Sequence, residues 1–282
     1  MAKSVKINNL QKIELNILLD IDKLCKENNI TYYLGEGTLL GAIRHQGFIP
    51  WDDDIDILMK REDYEKFLKL APTNMKKKYE IQHASTIKNY WSPFIKVRYL
   101  GKTIYKQNHI SHLTCNNGPL VDIFPLDNVP KEDSLGQYIQ SFKIRLYRGM
   151  IGLKLEYRKP KNIKQRVVKF LSRFYTINKL HKLLDKTFKK YNNDDNEFTV
   201  NLASYYSYKK QTVANDVYGT PRYVKFEGYD LPIPNKSEFL LTKIYGNYME
   251  LPPLEKRKIK HHFDVVDVED KNDNNWKRKR IA

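Results

Sequence analysis

An α+β fold, a mixed sheet with flanking helices and a basic helical insertion, is what the sequence predicts, and three observations predict it. Short apolar runs of strand character alternate with helical periodicity over residues 1–135. A block rich in Lys and Arg at helical spacing occupies residues 136–198. Strand and helix signals then resume over residues 199–265, which read as a return segment docking on the core. Residues 266–282, polar and charged, are expected to form a disordered tail.

Leu10, Ile13, Ile17, Leu18, Ile21 and Leu24 recur at helical spacing, which predicts a helix ending near Asn28 and Asn29. ITYYLGEG reads as a strand entering a glycine turn, and TLLGAIRH as a short helix. DIDILMK reads as the next strand, followed by a helix over REDYEKFLKLA that Pro72 is expected to stop. YEIQHA, PFIKVRYL and PLVDIFPL are further strands. In the basic block Ile163, Val167, Phe170, Leu171 and Phe174 form one helical stripe, and Leu180, Leu183, Leu184 and Phe188 another. Pro160 is expected to separate two helices there. RYVKFEGYDLPIP then reads as a β-ribbon and KSEFLLTKIYG as a closing helix.

A chain of 282 residues that is 41% apolar can bury a substantial core, which excludes a wholly disordered protein. Fifty Lys and Arg against 33 Asp and Glu give a net charge of +17, which points to an anionic partner. Residues 141–190 alone hold 16 Lys and Arg against Glu156 and Asp185, so nearly all the excess sits in the basic block. That block reads as an amphipathic hairpin with a solvated face, or as a surface lying on anionic lipid, where each cation contributes about 1 kcal/mol. A nucleic-acid surface would leave a recognisable motif, and none is present, so no nucleic acid is expected. Cys25 and Cys115 are too few and too separate for a disulfide framework or zinc cluster, which favours a reducing compartment. The first residues lack the apolar core of a signal peptide, and no run of about 18 apolar residues occurs, so a soluble or peripheral protein is expected.

The stretch LGEGTLLGAIRHQGFIPWDDDIDIL carries the chemistry. In a strand, alternate residues share a face, so Asp52, Asp54 and Asp56 would point one way and Ile55, Ile57 and Met59 into the core. Carboxylates spaced about 7 Å apart repel unless a cation neutralises them, and oxygen-only ligation favours Mg2+ or Mn2+ over zinc. Asp53 falls on the other face and is left out of the chemistry. An EF-hand loop opening at Asp52 would need Gly and Glu where the chain has Ile57 and Asp63. A plain acidic turn would explain the aspartates but not the alternating isoleucines. Asp122 sits in the apolar run PLVDIFPLD, so it must be metal-bound or meet an Arg or a helix N-terminus. Asp127 reads as a turn residue. Gly35 and Gly37 allow close backbone approach to a ligand, and the amides before the helix opened by Thr38 suit a phosphate. The combination describes metal-assisted phosphoryl transfer from a nucleotide.

G-x-G-T-L-L-G-A-x-R, G-F-I-P-W-D-D-D-I-D-I and R-x-D-Y closely resemble the LicD family, phosphocholine transferases of bacterial cell-surface polymers whose motif the fukutin-related proteins share. The resemblance covers roughly residues 10–130 and 215–262, and it implies a nucleotidyltransferase-like catalytic core over residues 1–135. Gly37-Thr38 stands in place of that superfamily's Gly-Ser pair, Asp54 and Asp56 match its metal-binding pair, and Asp122 resembles its third carboxylate. The interval between turn and aspartates is longer than usual and is filled by RHQGFIPW.

By this resemblance the donor would be CDP-choline. The acceptor would be a sugar hydroxyl of a lipid-linked teichoic acid or other glycan precursor, at the inner face of the bacterial membrane. Asp54 and Asp56 would hold Mg2+ against the pyrophosphate, and Asp122 would complete the metal site or act as general base. Asp52 would hold a second ion. Gly37 and Thr38 would face phosphate, Arg44 a phosphate or the aspartates, Lys96 and Arg98 the groove or a surface, and Trp51 and Trp91 the quaternary ammonium or the core. His45, His261 and His262 are weaker candidates. Another CDP-linked phospho-alcohol as donor, a nucleotide-linked product, and a non-catalytic basic membrane- or RNA-binding protein are the competing readings.

Overall fold

The computed structural model describes residues 9–100, 105–107, 118–193, 196–257 and 263–265. Cys115, His261, His262 and the tail from residue 266 lie outside the described residues, and so do the expectations attached to them. In chain order the first half runs α1 (Asn9–Glu27), β1 (Tyr33–Leu34), α2 (Glu36–His45), β2 (Ile55–Lys60), α3 (Arg61–Asn74), β3 (Tyr79–Gln82), β4 (Ile95–Tyr99), β5 (Tyr105–Gln107) and β6 (Leu120–Val129). The sheet order is β1-β2-β6-β4-β3, with β2 parallel to β6 and the other neighbours antiparallel. Every residue of β6 except Asn128 is buried, as an apolar central strand covered on both faces requires.

α1 ends at Glu27, with Asn29 in the left-handed conformation and the Ile30 N–H returning to the Cys25 carbonyl. α3 does not stop at Pro72 but runs to Asn74. A proline in the last turn loses only its own bond to the carbonyl four residues back, too little to end the helix there.

The basic block forms three helices rather than two: α4 (Leu135–Lys154), α5 (Ile163–Ser172) and α6 (Ile177–Phe188). The extra break comes at Thr176, whose side chain caps α6 by accepting the Lys179 N–H. Leu180, Leu184 and Phe188 are buried, whereas Ser172 is the buried residue of α5. The return segment adds β7 (Phe198–Val200) to the far half of β6 and β8 (Val213–Ala214) to β7, giving seven strands. After α7 (Tyr208–Gln211) comes the predicted ribbon, β9 (Arg222–Phe226) and β10 (Tyr229–Ile233). Its two-residue turn has positive φ at both Glu227 and Gly228, the geometry that matches strand twist. Glu227 docks the ribbon by accepting the Phe48 N–H at 3.0 Å, and the Phe48 and Phe226 rings pack 5.0 Å apart. α8 (Ser237–Tyr245) follows, and β11 (Phe263–Val265) pairs with β5. Among the described residues no helix is long and apolar enough to cross a membrane.

Asp127 is not in a turn. It lies inside β6 at 0% exposure, because the strand continues past Asp122 to meet β7. The Arg61 guanidinium clamps it with two bonds of 2.7 and 2.5 Å, and Asn192 adds a third at 2.7 Å. Arg61 also reaches Asp185 of α6 at 3.3 Å, so one cation joins α3, β6 and the basic helices. Removing it strands a buried carboxylate. Arg61→Ala is expected to lower stability by about 3–5 kcal/mol in urea unfolding, and a loss under about 1 kcal/mol would show the clamp to be dispensable.

Candidate active site

β2 begins at Ile55, so Asp52, Asp53 and Asp54 lie before the strand and not on its rungs. The expected alternation holds only from Asp56 onward, between the buried Ile55 and Ile57. The reason is local. β1 pairs with β2 only through Tyr33–Leu58 and Leu34–Ile57, so no neighbouring strand holds residues 52–54 extended. The Asp52 N–H instead turns back to the Ile49 carbonyl at 2.9 Å, and the Asp52 carbonyl accepts from Gln11 of α1 at 3.0 Å. The turn gathers three carboxylates, one oxygen of each lying within 4.8 Å of the others. Asp53, set aside by the strand argument, is buried within this group.

Strand register supplies the second half. Asp56 of β2 stands opposite Asp122 of β6, and Asp122 opposite Lys96 of β4. Lys96 donates to both Asp122 oxygens at 2.7 Å, so the buried aspartate is paired by a lysine rather than an arginine. Burial pushes the Lys96 ammonium down from its ordinary range while Asp122 opposes the shift. Arg98, expected to face the groove or a surface, is 1% exposed and donates to Gln82 at 2.8 Å and the Gly118 carbonyl at 2.7 Å. It braces β4 within the sheet.

The glycine turn packs on β2. The Gly35 N–H donates to the Asp56 carbonyl at 2.9 Å, and a Cβ on Gly35 would come within 2.7 Å of the Leu58 side chain. A Cβ on Gly37 would stand 2.6 Å from an Asp52 carboxylate oxygen, so glycine there lets the aspartate lie against the backbone. α2 starts at Glu36, two residues earlier than expected, and the buried Thr38 hydroxyl accepts the Asp56 N–H at 2.9 Å. Thr38 therefore ties turn to strand. Glu36 itself has φ of +45°, a left-handed conformation strained for a non-glycine residue, and Gln211 and Asn201 hold its carboxylate at 2.5 and 3.3 Å.

Sequence reasoning missed Glu14. It lies on α1 at 1% exposure, and its Oε2 has no hydrogen-bond partner. Burial raises its carboxyl well above the usual range, and the charges of Asp54, Asp53, Asp52 and Asp122 push in the same direction. Asp56 is raised for the same reasons, burial first, then Asp54 and Asp122. The signal available in the sequence was an acid on the buried stripe of α1, beside Ile13, Ile17 and Leu18. An all-carboxylate group fits a hard divalent cation, and Asp52, Asp53 and Asp54 are the residues whose oxygens lie close enough together to hold one, with Glu14, Asp56 and Asp122 near enough to feel their charge.

The remaining candidates stand elsewhere. Arg44 donates to the Tyr248 and Glu250 carbonyls at 2.8 and 3.3 Å, tying α2 to the return segment. Trp51 has the Arg257 guanidinium 5.6 Å over its ring and His45 at its edge. The Trp91 ring lies 5.3 Å from the Lys96 ammonium. Both indoles thus have a protein cation against them.

A family model described as LicD/FKTN/FKRP, nucleotidyltransferase domain, matches residues 29–145, which include the glycine turn, the acidic turn and strands β2 to β6. Uncharacterized proteins of Rickettsia typhi and Rickettsia prowazekii are each 40% identical to the chain, over 83 and 72 residues, about a quarter of either length. The chain is also 30% identical over 263 residues to the lipopolysaccharide cholinephosphotransferase LicD of Haemophilus influenzae, a match covering 92% of this chain and 97% of that protein. The mixed sheet and flanking helices agree with a nucleotidyltransferase-like fold. By near full-length similarity and by the matching domain around its acidic turn, the chain belongs to the LicD family.

Proposed function

We propose that the protein transfers phosphocholine from CDP-choline to a sugar hydroxyl of a teichoic acid or other cell-surface glycan precursor, with Mg2+ or Mn2+ bound by the acidic site. One observation carries this reading: the carboxylates of Asp52, Asp53 and Asp54 gather beside a glycine turn, with Glu14, Asp56 and Asp122 near enough to feel their charge, in a chain similar over nearly its whole length to a cholinephosphotransferase. Asp54 and Asp56 are the principal metal ligands, with Asp52 and Asp122 completing the set. A bound divalent ion supplies charge neutralisation for the donor pyrophosphate.

The acceptor oxygen bonds to the phosphorus that carries choline, the bond from that phosphorus to the bridging oxygen breaks, and CMP leaves. The hydroxyl proton passes to a carboxylate, for which Asp122 is the candidate. Lys96, bonded to both Asp122 oxygens, holds that carboxylate in place. Gly37 leaves room for the Asp52 carboxylate to lie against the turn, where the turn amides would face the donor phosphate.

The reading places the enzyme on an anionic membrane surface, at the inner face. Support comes from α5 and the turn after it, where Ile163, Phe170 and Phe174 are 70%, 54% and 72% exposed. Lys161, Lys164, Arg166 and Arg173 flank that stripe. An apolar stripe edged by cations suits the headgroup boundary of an anionic bilayer, where a lipid-linked acceptor would be presented.

Asp54→Ala and Asp56→Ala are each expected to cut choline transfer at least about 100-fold. Both should also abolish the Mg2+-induced rise in Tm seen in the unaltered chain. Full turnover in either variant, or turnover insensitive to chelator, sinks the metal assignment. Products from CDP-choline, CDP-ethanolamine, CDP-ribitol and CTP fix the donor.

Glu14→Gln is expected to raise Tm in chelator at pH 7, because a carboxyl whose pKa is raised by folding costs stability once the pH exceeds its unfolded value. The same variant should shrink the Mg2+ shift. An unchanged Tm in chelator would show that Glu14 carries no electrostatic penalty.

Phe170→Ser with Phe174→Ser should weaken sedimentation with phosphatidylcholine vesicles containing phosphatidylglycerol about 10-fold or more. If the unaltered chain binds neither these nor pure phosphatidylcholine vesicles, the membrane placement falls.

A further inference from the structure

Where α4 and α6 meet the core there is a cavity of about 170 Å3, bounded by Trp91, Arg148, Tyr157, Arg158 and Tyr205 among others. Its polar groups are donors. Arg148 is half-buried, lies 5.4 Å over the Tyr205 ring and donates to the Ser204 carbonyl at 3.1 Å. Arg158 lies 5.7 Å over the Tyr157 ring. The Trp91 Nε1 is buried with no hydrogen-bond partner. Neither guanidinium makes an ion pair among the described residues, and each repels the other. Two like charges without an ion pair beside one space are the mirror image of the aspartate group, and an oxyanion satisfies them as a cation satisfies the carboxylates. The aromatic faces of Tyr157, Tyr205 and Trp91 suit the apolar face of a sugar ring.

The cavity wall leads to the acidic site from two sides. The Trp91 ring lies 5.3 Å from the Lys96 ammonium, which is bonded to Asp122. On the other side Ser204, which holds Arg148, belongs to a turn whose N–H groups are organised by Asn201, and Asn201 donates to Glu36 beside the glycine turn. A choline cation is disfavoured here, since Arg148, Arg158 and Lys96 all carry its sign.

We propose that this cavity is the acceptor subsite and takes a phosphorylated sugar, its phosphate held by Arg148 and Arg158 and its ring laid on the tyrosines. The proposal deepens the phosphocholine-transfer reading and rests on it for the word acceptor. It explains why a basic helical block is packed onto a site whose own chemistry is acidic: α4 and the turn after it bring the anion receptors that the core lacks.

Titration calorimetry of the full chain, with neither metal nor donor present, tests the binding step. Glucose 1-phosphate is expected to bind, with glucose and inorganic phosphate each at least about 10-fold weaker. Arg148→Gln should weaken glucose 1-phosphate about 10-fold or more while the Mg2+-induced Tm shift is retained, and Arg158→Gln, on an exposed side chain, serves if Arg148→Gln fails to fold. Undiminished binding in the variants overturns the site, as does inorganic phosphate binding as tightly as the sugar phosphate. In turnover assays both variants should raise KM for the acceptor and leave KM for CDP-choline unchanged, whereas a rise for CDP-choline alone overturns the acceptor assignment. Absence of any transfer from CDP-choline would count against the parent reading, while the calorimetric result would still decide the cavity.

Discussion

Repulsion among carboxylates where β2 approaches β6 is the constraint around which the rest of the structure is arranged. Six acids from four places in the chain, Glu14 on α1, Asp52 to Asp54 in the turn, Asp56 on β2 and Asp122 on β6, share one partly buried space. Two of them are driven well above the usual carboxylate range by burial and by one another. Such a group holds together only because the scaffold is over-determined. The parallel β2–β6 pairing fixes Asp56 against Asp122, Lys96 returns one positive charge, and Thr38 and Gly35 bind the Asp56 backbone from both sides. Strain and repulsion gathered in one place and stabilised from elsewhere are what a preorganised site for an anionic donor and its cation requires.

That scaffold depends on a second, complementary pair. Arg61 and Asp127 stand one strand-length from the acidic group, in the same β2–β6 neighbourhood, but with every oxygen of the carboxylate engaged. Asp122 and Asp127 lie five residues apart on β6, and their surroundings divide the labour. Asp127 is closed by a bidentate guanidinium and serves the fold, whereas Asp122 is held by a lysine at the edge of the acidic space.

Much of this was legible in the sequence, and what was not has definite causes. The helix of α1, the run of β6, the ribbon after Arg222 and the turn-helix-strand order from Gly35 to Lys60 all follow from periodicity and turn residues that tertiary contacts reinforce. Asp53 was placed on the opposite face because strand alternation was extended three residues beyond where pairing begins, and pairing depends on a neighbour, β1, only two residues long. Glu14 was hidden because an acid on an amphipathic helix reads as solvent-facing until the helix is placed. Gln211 and Asn201, which hold Glu36, lie 175 and 165 residues away from it, a separation at which no local pattern operates. The two stripes of the basic block looked alike in sequence, yet the α6 stripe joins the hydrophobic core beside α4 and the α5 stripe stays exposed.

The charge distribution then acquires a single logic. A chain of net charge +17 places its acids inward at the metal-competent site and its unpaired guanidinia in a cavity beside it, with further cations around the exposed stripe of α5. Phosphoryl transfer between two anionic substrates must overcome their mutual repulsion as well as form a bond. On the proposed reading, a cation held by the carboxylates would answer for the donor, and the cavity guanidinia for the acceptor. Trp91 and Lys96 form the wall between the two, so that neither set neutralises the other before substrate arrives. On the same reading, Lys96 is the cation paired directly with Asp122, and the Trp91 ring beside it separates the cavity guanidinia from the acids.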